Sequence, residues 1–228
     1  MSTSTSTMTP EQRVSKLFKT LEISGKKEHV SGNMTQLEHA LRVANFAKIE
    51  SADEDTILAA LMLDTGGIKV TIPPYDNFAV GDRVEFYLSG YDRNTSEAVE
   101  IGEVGDIFVR KLGFSNKTCE LVESNVFAKR YLGSMTPEGL ESIIPKSMGI
   151  ITREMAEAGV LVDIPLWGTP LSSTEMREFE KDPLFKQKVQ LAVWDVAATK
   201  TTGDKPPALD TYRDMAIRNL LMSMRTLY

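Results

Sequence analysis

The sequence predicts an all-α, single-domain protein, because helix-start signals are repeatedly followed by apolar residues at helical spacing. Capping boxes, in which a serine or threonine precedes a glutamate by three positions, begin at Thr35, Ser51 and Ser172. After each of them apolar residues recur at three- and four-residue intervals, as on the buried face of a helix. Only one stretch, about 68–95, is poor in helix signals.

The first half of the chain contains three such helices in order. The first helix begins after Thr9, which is followed by a proline suited to the first helical position. The second begins after Thr35, and the third runs from Ser51 to Leu63 and ends before Gly66. The 68–95 stretch that follows alternates briefly like a strand and is broken by two prolines, which predicts an irregular inserted segment.

The second half is predicted to be helical with short interruptions. A helix is expected from about 97 to Gly113, where a glycine is a plausible C-terminal cap. Further helices are expected from Ser115 to Tyr131, from 136, from 145 to 159, after Ser172, from 182 to 196 and from about 209, with an apolar loop at 160–170.

Composition indicates one globular domain in a reducing compartment. The chain has 228 residues, of which 42% are hydrophobic and 25% charged, and these proportions are ordinary for a domain with a substantial core. Residues 1–10 read as a disordered polar tail and 11–228 as the domain. The single cysteine, Cys119, cannot form an internal disulfide, and the start of the chain lacks the features of a secretory signal, so a cytoplasmic location is expected.

Charge and hydropathy exclude two classes of partner. The net charge is -6, with 26 basic and 32 acidic residues, and no basic stripe is present. Nucleic acid is therefore not expected as a partner. No apolar stretch approaches the roughly 18 residues of a membrane span, so membrane insertion is not expected either.

Four short blocks carry a family resemblance: Gln36–His39, Leu58–Gly66, Leu112–Ser115 with Phe127–Leu132, and Val193–Asp195. In order and spacing they resemble the HD-domain metalloenzymes, a superfamily named after a His-Asp doublet of metal ligands. The branch they resemble most closely is the di-iron oxygenases of organophosphonates. The resemblance covers roughly 30–64 and 97–215 and implies an HD-like helical topology.

The resemblance also assigns metal-ligand positions, and most of them no longer hold histidine. His39 matches the first histidine ligand, Asp64 the aspartate of the doublet and Asp195 the closing aspartate. Other histidine positions are occupied by Leu63, Ile101 and Asn125. Imidazole is a favoured ligand of iron and zinc, so this loss predicts a protein without a resident metal or other cofactor.

The retained residues have alternative roles. His39 is either a ligand or a hydrogen-bonded core histidine, and Asp64 either a ligand or a side chain that satisfies backbone donors of a turn. Asp195 is either a ligand or the partner of His39 in an internal ion pair without metal. Lys129 is compatible with both a solvated helix face and an anion site.

Loss of the histidines predicts a larger, drier cavity, suited to a small and largely apolar organic substrate. The expected function is a metal-independent enzyme of secondary-metabolite biosynthesis that guides isomerisation, elimination or cyclisation, for example a Diels–Alder-type ring closure. Two alternatives stay open. One is a residual HD-type metal-dependent oxygenase or phosphohydrolase, and the other is a non-catalytic ligand-binding protein.

The candidate site combines residues from distant parts of the chain. His39, tuned by an aspartate, is the best available acid or base, and an amide or phenol is the best hydrogen-bond donor. The candidate catalytic residues are His39, Asp64, Asn125, Tyr131 and Asp195. The residues expected to bind substrate are Leu63, Ile101, Lys129, Trp167 and Trp194, with the 68–95 segment as a partial cover.

Overall fold

The all-α class is confirmed in a computed structural model, which describes residues 8–29, 33–63, 108–136, 139, 169–200 and 205–225. Within these ranges the regular structure is helical, and the only strand-like feature is an isolated antiparallel bridge between Glu28 and Thr35. The α-helices are α1 (Pro10–Ser24), α2 (Gln36–Ile49), α3 (Glu54–Met62), α4 (Asn116–Glu123), α5 (Asn125–Gly133), α6 (Ser173–Phe179), α7 (Phe185–Lys200) and α8 (Arg213–Arg225). Residues 108–112 are also helical, and a 3-10 turn, Leu209–Tyr212, leads into α8.

Four of the predicted helix starts are confirmed by hydrogen bonds. The side chains of Thr9, Thr35, Ser115 and Ser172 each accept a hydrogen bond from a backbone N–H of the first turn. Full capping boxes form at Thr9, with Gln12, and at Ser172, with Glu175. These caps satisfy amide groups that the helix itself leaves without partners.

The expected cap of α3 was wrong. Ser51 has a φ of 59°, in the left-handed region, and lies in the turn between α2 and α3. The cap is Asp53, whose Oδ1 accepts from the backbone N–H of Thr56 at 3.2 Å. An aspartate is as good a cap as serine, so the Ser-x-x-Glu pattern identified the helix and misplaced its start by two residues.

The single helix expected from Ser115 to Tyr131 is two helices that meet at Ser124. The Ser124 hydroxyl donates to the carbonyl oxygen of Leu121 at 3.1 Å, a local bond that competes with helix continuation. The break lets α4 and α5 face different parts of the core. Cys119 and Leu121 of α4 belong to a larger apolar cluster, whereas Tyr131 of α5 belongs to a smaller one.

Helix α7 joins these two clusters. It packs against α2 and α5, and also contacts α3 and α4. Leu191 and Trp194 on α7 lie in the larger cluster with residues of α1, α2, α3, α4 and α8, while Val189 and Val193 lie in the smaller cluster with residues of α5 and α6. Asp195, the predicted closing aspartate, therefore lies on the helix that both clusters share.

A polar cluster around Asp55 joins α3, α4 and α8. The Oδ1 atom of Asp55, in the first turn of α3, accepts hydrogen bonds from Ser115, from Thr118 at 3.0 Å and from Asn219 at 2.8 Å. These partners connect α3 with the start of α4 and with α8. The arrangement satisfies every donor that converges on this carboxylate and fixes the three helices relative to one another.

Several sequence predictions fall outside the described residues. They are the polar tail up to residue 7, Asp64, the 68–95 segment, Ile101, the 145–159 helix and Trp167. None of the helices in the described part of the chain is long and apolar enough to cross a membrane.

Candidate functional site

His39 and Asp195 meet in the interior of the protein. Thr35 caps α2 and so sets the start of the helix that carries His39 one turn later. The Nε2 atom of His39 lies 3.2 Å from Oδ1 of Asp195 and 3.1 Å from the main-chain oxygen of the same residue. His39 is fully buried and Asp195 is 2% exposed, so two residues 156 positions apart form a polar contact away from water.

The second carboxylate oxygen of Asp195 is held by two side chains of α5. The Lys129 ammonium forms an ion pair with Oδ2, and the Asn125 amide donates to the same oxygen at 2.9 Å. Asn125 and Lys129 are four residues apart and therefore lie one above the other on the same helix face. Both are 5% exposed, so Lys129 is not on the solvated face that was one of its two predicted roles.

The Asp195 carboxyl is held in its ionised form. Burial alone would raise its pKa, but the positive charge of Lys129 and the hydrogen bonds from His39 and Lys129 outweigh burial and hold the pKa well below its usual range. A buried carboxylate is stable only with such partners. The site is therefore a cluster in which Lys129, Asn125 and His39 hold the ionised Asp195 carboxylate.

One acceptor in this cluster has no partner among the described residues. The Asn125 amide oxygen, Oδ1, is buried and receives no hydrogen bond from them. Its amide nitrogen must face Asp195, because the reverse orientation would set two oxygens against each other. An acceptor of this kind has the chemistry to bind a hydroxyl or amine donor.

His29 is a site residue that the sequence analysis missed. Its ring stacks on the ring of His39, with centroids 4.0 Å apart and planes 20° from parallel. The bridge between Glu28 and Thr35 places His29 beside the first turn of α2. The only available signal was that these are the two histidines of the chain. Stacking covers one face of His39 and fixes the plane in which Nε2 points at Asp195.

The other described candidates have recorded contacts with residues other than Asp195. Tyr131 donates its hydroxyl to Glu180 at 2.9 Å, and burial together with this acidic partner raises the pKa of the phenol. Trp194 donates its indole N–H to Glu50 at 3.1 Å. Leu63 is buried in the larger apolar cluster. Asp64, Ile101 and Trp167 are outside the described residues.

Comparison with known proteins gives relatives along most of the chain. A hydroxymethylphosphonate dioxygenase of Gimesia maris is 27% identical over 206 residues, which cover 90% of this chain and 86% of the relative. A [1-hydroxy-2-(trimethylamino)ethyl]phosphonate dioxygenase (glycine-betaine-forming) of Leisingera caerulea is 25% identical over 182 residues, covering 80% and 78%. The chain is similar to phosphonate dioxygenases. An uncharacterised protein of Acanthamoeba polyphaga mimivirus is 25% identical over 218 residues, covering 92% and 82%, and no protein-family model matches the chain.

These relatives correct the predicted function. The expectation of a metal-independent isomerase, lyase or cyclase acting on an apolar substrate was wrong, because the relatives with named activities are oxygenases. The similarity to these oxygenases extends over 90% and 80% of this chain. The predicted apolar cavity also does not describe the centre of the site, which is a cluster of charged and polar side chains.

The described residues include two candidate metal ligands, His39 and Asp195. Within the described part of the chain, no group of three or more histidine, cysteine, aspartate or glutamate side chains is placed to hold a metal ion. The separation between His39 Nε2 and Asp195 Oδ1, 3.2 Å, is nevertheless that of two neighbouring ligands of one ion. Ligands about 2.0–2.2 Å from a metal at a right angle lie roughly 3 Å apart. The donor chemistry thus fits part of a mononuclear site.

Proposed function

We propose that this protein is an HD-type, metal-dependent oxygenase of a small phosphonate that carries a hydroxyl group on the carbon bonded to phosphorus. The two relatives with named activities act on compounds that share this hydroxyl. The observation that carries the proposal is the meeting of His39 and Asp195, 156 residues apart, at positions that the resemblance assigns to metal ligands.

The proposed metal site holds one ion. His39 and Asp195 supply two ligands, and the resemblance supplies Asp64 as the third, which lies outside the described residues. An iron ion bound to them would supply the activation of dioxygen. One histidine and two carboxylates replace the larger donor set of the family, so we expect weaker metal binding than in a site with several histidines.

The chain's own residues provide contacts for both polar groups of such a substrate. The Lys129 ammonium has the charge to pair with phosphonate oxygens. The Asn125 amide oxygen, which has no donor among the described residues, is suited to accept a hydrogen bond from the substrate hydroxyl. Because the cluster is buried, these interactions form with little competition from water and are correspondingly strong.

The test is substrate-dependent oxygen consumption. Protein loaded anaerobically with Fe(II) is mixed with dioxygen and hydroxymethylphosphonate, and phosphonate loss is followed by phosphorus NMR. We expect turnover that falls at least about a hundredfold in His39→Ala and Asp195→Asn. Lys181→Ala is the control, because Lys181 forms an exposed pair with Glu178 on the surface. Absence of oxygen uptake by the iron-loaded protein with hydroxymethylphosphonate would refute the proposal.

A further inference from the structure

Lys129 stands where the site would otherwise need a metal cation. Its ammonium contacts Oδ2 of Asp195, the Asn125 amide donates to the same oxygen, and His39 contacts the other oxygen. Both carboxylate oxygens therefore have partners that come from the chain itself. The buried negative charge is balanced without any external ion.

We infer that Lys129 is the resident counter-ion of Asp195, and that a divalent metal ion and the Lys129 ammonium compete for this carboxylate. The inference rests on the proposed function, because it concerns how the same site takes up its metal. A buried carboxylate requires a cation close to it. Two cations within a few ångströms of each other in a buried site repel strongly, so the ammonium must leave Oδ2 when the metal binds.

The position of Lys129 allows this exchange without movement of its helix. Asn125 reaches the same oxygen from one turn earlier on α5, so the amide keeps its place while the ammonium leaves. The lysine ammonium sits on a flexible four-carbon stem with rotatable bonds. Metal uptake would thereby release a positive charge beside the site, where the phosphonate is proposed to bind. Metal loading and substrate binding are coupled in this arrangement.

Metal titration of lysine variants tests the competition. Metal-free wild type, Lys129→Met and Lys129→Gln are titrated with Mn²⁺ by equilibrium dialysis. We expect both variants to bind one ion per chain at least about tenfold more tightly than wild type, because the competing ammonium is gone. Lys188→Met is the matched control, since Lys188 is also a 5% exposed lysine paired with carboxylates, Glu120 at 2.8 Å and Asp182 at 2.6 Å. Its Mn²⁺ affinity should equal that of wild type.

Thermal unfolding gives a readout that is independent of affinity. Without metal, Lys129→Met should melt below wild type, because the buried Asp195 carboxylate loses the ammonium paired with its Oδ2 atom, and Mn²⁺ should restore much of the loss. A variant that folds only with Mn²⁺ supports the same conclusion. Adding Asp195→Asn to Lys129→Met should abolish the gain in affinity.

The competition is refuted if neither variant gains Mn²⁺ affinity, if the gain persists in the Asp195→Asn double variant, or if both variants stay unfolded with and without Mn²⁺. Oxygen-uptake measurements distinguish failure of the metal–ammonium competition from failure of the proposed oxygenase function. Tight Mn²⁺ binding by Lys129→Met without phosphonate oxidation by any iron-loaded form would leave the competition standing and remove the oxygenase. Phosphonate oxidation by wild type, with no gain in Mn²⁺ affinity in the lysine variants, would support the oxygenase and refute the competition.

Discussion

Asp195 and its partners show how much could be predicted for individual residues. The resemblance assigned His39 and Asp195 to one site, and in the structure His39 Nε2 lies 3.2 Å from Asp195 Oδ1. The involvement of Lys129 was left open between a solvated face and an anion site. Its spacing of four residues from Asn125 was a usable signal, because residues at that spacing share a helix face. Which face of α5 is buried depends on the break at Ser124, and local sequence preferences did not reveal that break.

Tyr212 carries the first prediction. Its side chain is fully buried, and its hydroxyl has no hydrogen-bond partner among the described residues. Replacing it in Tyr212→Phe removes an unsatisfied polar atom, so we expect stability at neutral pH to be unchanged or to rise by up to about 1 kcal/mol. Tyr131→Phe is the matched control, because it loses the bond to Glu180 and should cost about 1 kcal/mol. Urea denaturation measures both free energies of unfolding.

The same residue predicts a pH dependence. Burial raises the pKa of Tyr212 from its ordinary value of 10.0 to about 12. A phenol with a raised folded pKa favours folding fully below the unfolded pKa, and that contribution is lost as pH rises from 10.0 towards 12. The advantage of Tyr212→Phe over wild type should therefore grow across this range. Urea denaturation at a series of pH values measures it, and a difference between the two proteins that stays constant from about pH 8 to about pH 11 would contradict the assignment.

At the scale of whole elements, helices were easier to predict than their boundaries. Side-chain caps at Thr9, Thr35, Ser115 and Ser172 are local chemistry, and the structure confirms all four. The errors came where two local signals competed. An aspartate two residues after Ser51 is an equally good cap, and the choice between them follows from the turn that joins α2 to α3.

The cap of α3 gives the second prediction. Asp53 accepts hydrogen bonds from the backbone N–H and the hydroxyl of Thr56 and pairs with Lys117 at 2.9 Å. Asp53→Ala should therefore lower the free energy of unfolding by about 1–2 kcal/mol. Ser51→Gly should raise it by up to about 1 kcal/mol, because glycine adopts the left-handed conformation of this position without strain. Urea denaturation measures both free energies of unfolding. The slope of the free energy of unfolding against urea concentration should be the same in the variants as in wild type.

The control for this prediction is Ser51→Ala. Its hydroxyl does not cap α3, so its loss should change stability by no more than about 0.5 kcal/mol. A cost near that of Asp53→Ala would return the cap to Ser51 and show that the boundary of α3 lies two residues earlier.

At the scale of the whole molecule, the fold class could be predicted from the sequence. The assembly of the site could be predicted only in part. Periodicity and caps are local, whereas the contact between His39 and Asp195 depends on α2 packing against α7 across 156 residues. Only the family resemblance connected the two. The spacing of Asn125 and Lys129 indicated a shared helix face, but not that both side chains would contact the same oxygen of Asp195. Nothing in the local sequence indicated that His29 would stack on His39.

The third prediction concerns the cooperativity of unfolding. Helix α7 contributes Leu191 and Trp194 to the larger apolar cluster and Val189 and Val193 to the smaller one, with Asp195 on the same helix. Neither cluster keeps its core if α7 leaves, and separation would also break the buried contacts of Asp195 with α2 and α5. We therefore expect the described helices to unfold in a single transition, although the chain exceeds the size at which this behaviour is usual, about 150 residues.

Two cavity-forming variants measure this coupling. Leu58→Ala empties part of the larger cluster and Leu132→Ala part of the smaller one, and both side chains are fully buried. Each change should cost about 2–5 kcal/mol. Far-ultraviolet circular dichroism, which follows helix content, and tryptophan fluorescence should report the same shifted midpoint within each variant. If Leu132→Ala instead produced an early transition in one signal while the other kept its original midpoint, the two clusters would be independent units, and α7 would not hold the site together through them.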